Sequence, residues 1–278
     1  MGMAKATITL AQITCQLHDK AANLKRMTEV VRKTKGDIVI FPELSLTGYL
    51  PRDDLFAQAE HTDGPSMRKM VQLAKATKKD IVFGAPIRDP KVPGLVYNSC
   101  LLASGNGRLF RYDKVYLANF GPFEEKVYFA PGRSAVVGEG LHARLGLMVC
   151  YDMFFPELSK LETLEGAQVL VNISAAPTTS KQSFMRVIPG RAVENALFVA
   201  YANMVGVHGG LVFGGGSVLY GPRGEELAKA EDLHEDVVEH RIDLGDIAVA
   251  RKFRPTVRDT RPEIMDEIGT LVRGQRKG

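Results

Sequence analysis

The 278-residue chain reads as an α/β protein, and three observations predict that class. Short apolar runs alternate with amphipathic stretches of helical period along its whole length. No Pro- or Ser-rich linker breaks the alternation, so one domain over 1–278 is expected, with about 250–278 as a C-terminal extension. A short echo is the third: Phe41-Pro-Glu-Leu-Ser45 recurs as Phe155-Pro-Glu-Leu-Ser159, and Ile81-Val-Phe-Gly-Ala-Pro86 is similar to Val171-Asn-Ile-Ser-Ala-Ala-Pro177. Each copy follows or borders a strand, which suggests two similar halves stacked sheet on sheet with helices outside. Coincidence competes with that reading, because Pro-Glu is a common solution at a helix start.

The elements follow in order. Residues 6–13 read as a strand and 21–35 as an amphipathic helix; 37–41 is a short buried strand. Residues 66–78 form a helix whose apolar positions are Met67, Met70, Val71 and Ala74, and 80–83 return to a buried strand. Segments 96–103 and 107–112 make a hairpin around Ser104-Gly-Asn-Gly107. The apolar run Leu145-Gly-Leu-Met-Val149 is a strand that leads into Cys150, with a helix near 156–166 starting at Pro156. A strand at 168–173, a helix near 183–195 and a strand at 197–202 complete the alternation. Gly214-Gly-Gly-Ser-Val-Leu-Tyr gives a strand and a turn, and 237–242 is the last strand, with helical turns beyond.

Composition removes several functions. The 36 basic and 32 acidic residues give +4 with no basic block, so a nucleic-acid partner is not expected. No apolar run approaches the roughly 18 residues of a membrane helix, and the N-terminal residues lack a signal-peptide core. Cysteines 15, 100 and 150 form neither a C-x-x-C pair nor an even framework, which points to free thiols and a cytoplasmic setting. No metal or cofactor is expected. His234 and His240 lack the H-E-x-x-H spacing, and Gly214-Gly-Gly lacks the Lys-Ser/Thr that would follow in a phosphate loop.

Three placements carry chemistry. Cys150 stands where a strand ends, Glu43 closes the apolar run Ile38-Val-Ile-Phe-Pro-Glu43, and Lys114 sits in Arg111-Tyr-Asp-Lys114-Val-Tyr-Leu117. A buried cysteine is ordinarily a small hydrophobe, as expected for Cys15 and Cys100. A carboxylate at the end of a buried strand needs a stronger reason. Together the three make a covalent-catalysis set: a thiol nucleophile, a carboxylate to carry its proton, and an ammonium that, with the Tyr151 backbone N–H, holds an oxyanion. No His occupies a base position. Asp152 is expected to pair structurally with a basic residue such as Arg191.

In those contexts, and in the order Glu, Lys, Cys, the sequence resembles the nitrilase superfamily of carbon-nitrogen hydrolases. The likeness continues through Glu124-Glu-Lys-Val-Tyr-Phe-Ala-Pro131, Arg191-Ala-Val-Glu-Asn195 and Arg258-Asp-Thr-Arg-Pro-Glu263. The resemblance implies a four-layer α-β-β-α sandwich with pseudo-twofold halves and a homodimer or larger homo-oligomer. It implies Cys150 as nucleophile, Glu43 as general base and acid, Lys114 as oxyanion stabiliser, and Glu125 as a second glutamate that positions substrate or water. The expected reaction is hydrolysis of a small non-peptide amide through a cysteine thioester. Small nitriles or N-carbamoyl compounds are the alternatives.

A narrower likeness runs to the glutaminase domain of glutamine-dependent NAD synthetase, through residues 41–49, 114–120 and 203–217. The resemblance also marks two departures, Phe120 and Ala176, where that domain tends to carry Tyr and Ser. Two lost hydrogen-bonding groups disfavour a polar amino-acid substrate. The expectation is a free-standing amide hydrolase with a more apolar pocket, rather than a glutaminase or a non-catalytic module. Tyr49, Phe120, Tyr151, Ser174 and Ala176 are the expected substrate-binding residues.

Overall fold

The computed structural model describes residues 5–49 and 54–275. The N-terminal residues read for a leader, and the last three of the expected C-terminal extension, lie outside that range. The chain opens with β1 (Lys5–Gln12), α1 (Lys20–Lys33), β2 (Ile38–Ile40), the one-turn α2 (Leu55–Gln58), α3 (Pro65–Thr77) and β3 (Asp80–Arg88). The hairpin β4 (Val96–Ala103) and β5 (Leu109–Asp113) follows, then the one-turn α4 (Glu125–Tyr128). Next come β6 (Val137–Glu139), β7 (Arg144–Val149), a 3-10 turn over Cys150–Phe154, α5 (Pro156–Leu164), β8 (Val169–Ser174), α6 (Lys181–Asn195) and β9 (Phe198–Asn203). The strands β10 (Val205–His208), β11 (Leu211–Gly214), β12 (Val218–Tyr220), β13 (Glu226–Lys229) and β14 (Asp236–Asp243) precede α7 (Gly245–Phe253) and α8 (Pro262–Gln275).

Local chemistry sets the boundaries. Asp19 caps α1 by accepting from the Ala22 N–H, and Pro65 opens α3, where a missing N–H costs nothing. Lys78 then ends that helix in the left-handed conformation. The strand read at 80–83 runs on through Pro86 to Arg88. Its parallel pairing with β2 stops at Val82, so Pro86 lies beyond that partner, where its lack of an N–H is harmless. The short strands β6, β10, β11 and β13 were not legible in the sequence, because three or four residues carry too little periodicity to stand out.

Two six-stranded sheets result, in the orders β14-β1-β2-β3-β4-β5 and β6-β7-β8-β9-β12-β13. In each, three consecutive strands are parallel (β1-β2-β3 and β7-β8-β9) and the rest pair antiparallel. The sheets therefore match strand for strand, and α1 and α3 in one half correspond to α5 and α6 in the other. One apolar cluster joins them: Ile8, Leu10, Ile38, Ile40, Val82, Cys100 and Leu102 from the first meet Leu145, Leu147, Val149 and Val171 from the second. The alternate residues of the first sheet (Ala11, Val39, Ile81, Phe83, Leu101) face Met27, Val31, Met67 and Met70 of α1 and α3 in a second cluster. This is the expected α-β-β-α sandwich.

The echo is not the trace of that symmetry. The Phe41 copy follows β2, the second parallel strand of its sheet, whereas the Phe155 copy follows β7, the first of its own. Residues 81–86 lie in β3, which corresponds to β9 rather than to the β8 that carries residues 171–174. The twofold relation is real in the fold and the sequence repeats are coincidental to it. Among the described residues, no helix is long and apolar enough to cross a membrane.

Candidate active site

The ends of β2 and β8, which correspond under the twofold relation, meet across the sandwich, and Glu43 stands at that meeting point. Its backbone N–H donates to the Ser174 carbonyl, and its Oε2 accepts from the Ala175 N–H at 2.8 Å. Its Oε1 accepts from Asn98 Nδ2 at 2.7 Å and Lys114 Nζ at 3.0 Å. Glu43 is fully buried, and every partner that makes this tolerable is a hydrogen-bond donor. Gly84 of β3 lets the segment lie so close: a Cβ there would sit 2.2 Å from the Leu44 nitrogen. Leu44 itself holds a left-handed φ of 49°, turning the chain away after the carboxylate.

Lys114 follows directly on β5 and is also fully buried. Its Nζ bridges two carboxylates, donating to Glu43 Oε1 and to Glu125 Oε1, the latter at 2.7 Å. Burial works against the ammonium, but Glu125 and Glu43 outweigh it and hold its pKa well above the usual lysine value. Glu125, the first residue of α4, is oriented on three sides. Tyr49 Oη donates to Oε1 at 3.0 Å alongside Lys114, and the Ala118 N–H donates to Oε2 at 2.9 Å. Burial raises its pKa, and Lys114 opposes that without cancelling it.

Cys150 comes from the other sheet. It starts the 3-10 turn after β7 with a left-handed φ of 48°, a conformation that costs a non-glycine residue roughly 1–2 kcal/mol. The strain is an observed outlier at the thiol itself. Burial pushes the thiol well above its ordinary pKa and Glu43 adds to this, while Lys114 and a hydrogen bond from Ser174 pull the other way. The resting group is therefore a thiol, and a thiol so placed would need a neighbouring base to act as a nucleophile. No long helix begins at Cys150; the five-residue turn separates it from α5.

Asp152 ties this turn to the lysine. Its Oδ2 accepts from the Val149 N–H and the Tyr112 hydroxyl, and its Oδ1 accepts from the Tyr116 N–H. The strand end that carries Cys150 and the segment that carries Lys114 are thus clamped through one buried carboxyl. The expected pair with Arg191 does not form: Arg191 donates to the Met153 carbonyl and to Glu194. Burial raises the Asp152 pKa to about 7, with Lys114 opposing.

Above these groups opens a cavity of about 330 Å³. Tyr49, Phe120, Tyr151 and Ala176 line it with Cys150 and Glu125, as do Phe123, Phe154 and Phe184, which sequence reading missed. Phe123 and Phe154 lie three residues from Phe120 and Tyr151, and that aromatic spacing was the available signal. Ser174 is not on the cavity wall. It is fully buried behind the thiol, where its hydroxyl meets Asn172 Oδ1. Asn98 was also missed; an Asn in the middle of a buried strand was its signal. Asn203 fixes the wall at Ala176, accepting from its N–H and donating to its carbonyl.

Residues 6–252 match the carbon-nitrogen hydrolase family. A probable nitrilase from Schizosaccharomyces pombe is 31% identical over 89% of this chain and 92% of its own length. The glutamine-dependent NAD(+) synthetase of Aquifex aeolicus is 31% identical over 86% of this chain, which spans 42% of that protein. Among solved structures, a mutant amidase from Nesterenkonia sp. AN1 is 29% identical, with a TM-score of 0.79 over 95% of this chain and 97% of that one. That amidase carries the acetamide moiety of fluoroacetamide on its active-site cysteine. The chain belongs to the carbon-nitrogen hydrolase family, the nitrilase superfamily, and is a hydrolase of carbon-nitrogen bonds other than peptide bonds.

Proposed function

We propose that this protein hydrolyses a small non-peptide amide to a carboxylic acid and ammonia through a thioester on Cys150. The observation that carries the reading is the Glu43–Lys114–Glu125 bridge, buried beneath a cavity into which Cys150 opens. Glu43 takes the thiol proton as sulfur attacks the amide carbon. Lys114, with the Tyr151 N–H, stabilises the negative charge that develops on the carbonyl oxygen. Glu43 then gives its proton to the departing nitrogen, ammonia leaves, and an acyl thioester remains. Water enters, Glu43 removes its proton with Glu125 orienting the molecule, and collapse of the second tetrahedral intermediate returns the proton to sulfur. Because the resting thiol is protonated, the first proton transfer belongs to the attack rather than preceding it.

Nitriles are the second reading, supported by the nitrilase relative; attack on a nitrile gives a thioimidate that gains water before ammonia leaves. Ammonia release across amides, carbamoyl compounds and nitriles tests both readings. Cys150→Ala is expected to lower turnover by roughly 10⁴-fold or more, and a variant that still releases ammonia at the wild-type rate would sink the mechanism. The reading includes a cytoplasmic homodimer. Three free cysteines support the compartment, and the exposed stripe Ile264, Met265, Ile268, Leu271 and Val272 on α8 supports a second copy as its cover. Sedimentation at several concentrations tests the pairing, and a monomer throughout would remove it.

A further inference from the structure

The cavity over Cys150 has two kinds of wall. Six aromatic rings face it: Tyr49, Phe120, Phe123, Tyr151, Phe154 and Phe184. They form a connected set. Phe120 meets Phe123 edge-on at 5.6 Å between centroids and Tyr151 at 4.9 Å; Tyr151 continues to Phe154 at 5.8 Å, and Phe154 to Phe184 at 4.8 Å. Besides Ala118, Glu125 and Cys150, the rest of the wall comes from one segment, which adds Ala176, Pro177 and the hydroxyl-bearing Thr179, Ser180 and Ser183.

Charge is distributed differently. Among the described residues, Glu125 is the one ionisable carboxyl or basic group on the cavity wall, and its oxygens are committed to Lys114, Tyr49 and the Ala118 N–H. A zwitterionic acyl group would bring an ammonium and a carboxylate to a wall of rings and hydroxyls, at the cost of desolvating both without partners. An aromatic ring instead finds edge-to-face and offset partners on several sides. Size agrees: a cavity of about 150 Å³ is enough for benzene, so 330 Å³ holds a ring with a short linker to the reacting carbon.

We infer that the acyl group this site receives is uncharged and carries an aromatic ring, making the substrate class neutral aryl-bearing primary amides. The inference rests on the amide-hydrolase reading for its chemistry, and on the cavity wall for its selectivity. The three hydroxyl-bearing residues give such a substrate room for one neutral hydrogen-bonding substituent, and the described residues offer no free counter-ion for a charged one.

The test compares 3-phenylpropanamide, propanamide and glutamine in two ways: kcat/KM for the wild type by ammonia release, and Kd for Cys150→Ala by calorimetry. Burying the ring favours 3-phenylpropanamide over propanamide by roughly ten- to a hundredfold in both measurements, with glutamine the poorest of the three. Phe120→Ala removes a half-exposed ring at the cavity wall, where folding is not at stake, and narrows the preference about two- to tenfold. Equal affinity for the two neutral amides, or tighter binding of glutamine, overturns the inference. A ring preference in binding to Cys150→Ala without turnover by the wild type keeps it and overturns the hydrolase reading. Turnover without a ring preference does the opposite.

Discussion

The pentapeptide Phe-Pro-Glu-Leu-Ser occurs twice in this chain and does two different things. At 41–45 it follows β2, its glutamate fully buried among Asn98, Lys114 and the Ala175 N–H, and Leu44 turns into the left-handed region. At 155–159 it opens α5, with Pro156 at the first helical position and Glu157 in the first turn, exposed and accepting from the Tyr116 hydroxyl at 2.9 Å. The same five residues yield a turn in one place and a helix in the other. What differs is the surroundings. A buried lysine and two further donors receive Glu43, whereas solvent and a helix N-terminus receive Glu157. The buried, donor-ringed setting of Glu43 therefore belongs to the fold around it, and only its position can be read from the local sequence.

The largest expected effect breaks the comparison at its buried member. Glu43→Gln keeps the size and one acceptor oxygen toward Asn98 and Lys114, sets its amide against the Ala175 N–H and cannot carry a proton, and kcat should fall by about 10² to 10⁴. Ammonia release with circular dichroism as the folding check measures it; a fall below tenfold would take Glu43 out of the proton-transfer role. Lys114→Met removes the shared cation. Two buried carboxylates lose their counter-charge, so the cost should reach about 3–5 kcal/mol of stability, together with loss of turnover. Urea denaturation reads the first quantity, and a variant as stable as wild type would show that the bridge contributes no net stability.

Asp152→Asn is the next in size. An amide in place of Oδ2 would set a donor against the Val149 N–H, leaving buried groups unsatisfied at about 1–3 kcal/mol. The pH dependence of that difference has a defined sign. The folded pKa of Asp152, about 7, lies above the ordinary aspartate value, so between about 4 and 7 the folded state holds a proton that the unfolded chain has released. Its contribution to stability is present at low pH and is lost as pH rises through 7. Buried Glu162, whose pKa is also raised, adds a trend of the same sign. The wild type should therefore lose stability relative to Asp152→Asn from pH 4 to 7 in thermal melts, and parallel curves would refute the assignment. The smallest effect falls on the other pentapeptide: Glu157→Gln should change stability by less than about 0.5 kcal/mol and leave kcat within twofold. A loss comparable to that of Glu43→Gln would erase the distinction between the two copies.

Much of this was legible in the sequence because the signals were local. Strand ends carrying Cys150 and Glu43 and the polar break at Lys114 are visible in a few residues each, and apolar periodicity placed the principal strands and helices. Asn98, Phe154 and Phe184 were not visible as site residues. Asn98 matters through Glu43 and Phe154 through Phe184, each pair brought together from distant parts of the chain, and no short window of sequence contains both partners. Asp152 shows the same limit from the other side. Its sequence position beside the thiol suggested an ion pair, but the fold brought Tyr112 and two backbone N–H groups to it before any arginine. The internal echo was legible and misleading, since residues 41–45 follow β2, whose counterpart is β8, whereas residues 155–159 follow β7.

The site is divided between the sheets. Asn98, Glu43 and Lys114 belong to elements of the first half, Cys150 and the Ala175 N–H to the second, and the bonds of the Ala175 N–H to Glu43 and of Asp152 to Tyr112 and Tyr116 cross the gap. Turnover thus reports the registry of one half on the other. A slip of an ångström between the layers, small enough to leave the circular dichroism spectrum unaltered, would silence the enzyme before any strand or helix had melted. Denaturant that loosens the sandwich should extinguish activity ahead of secondary structure, making catalysis a gauge of how well the two layers fit.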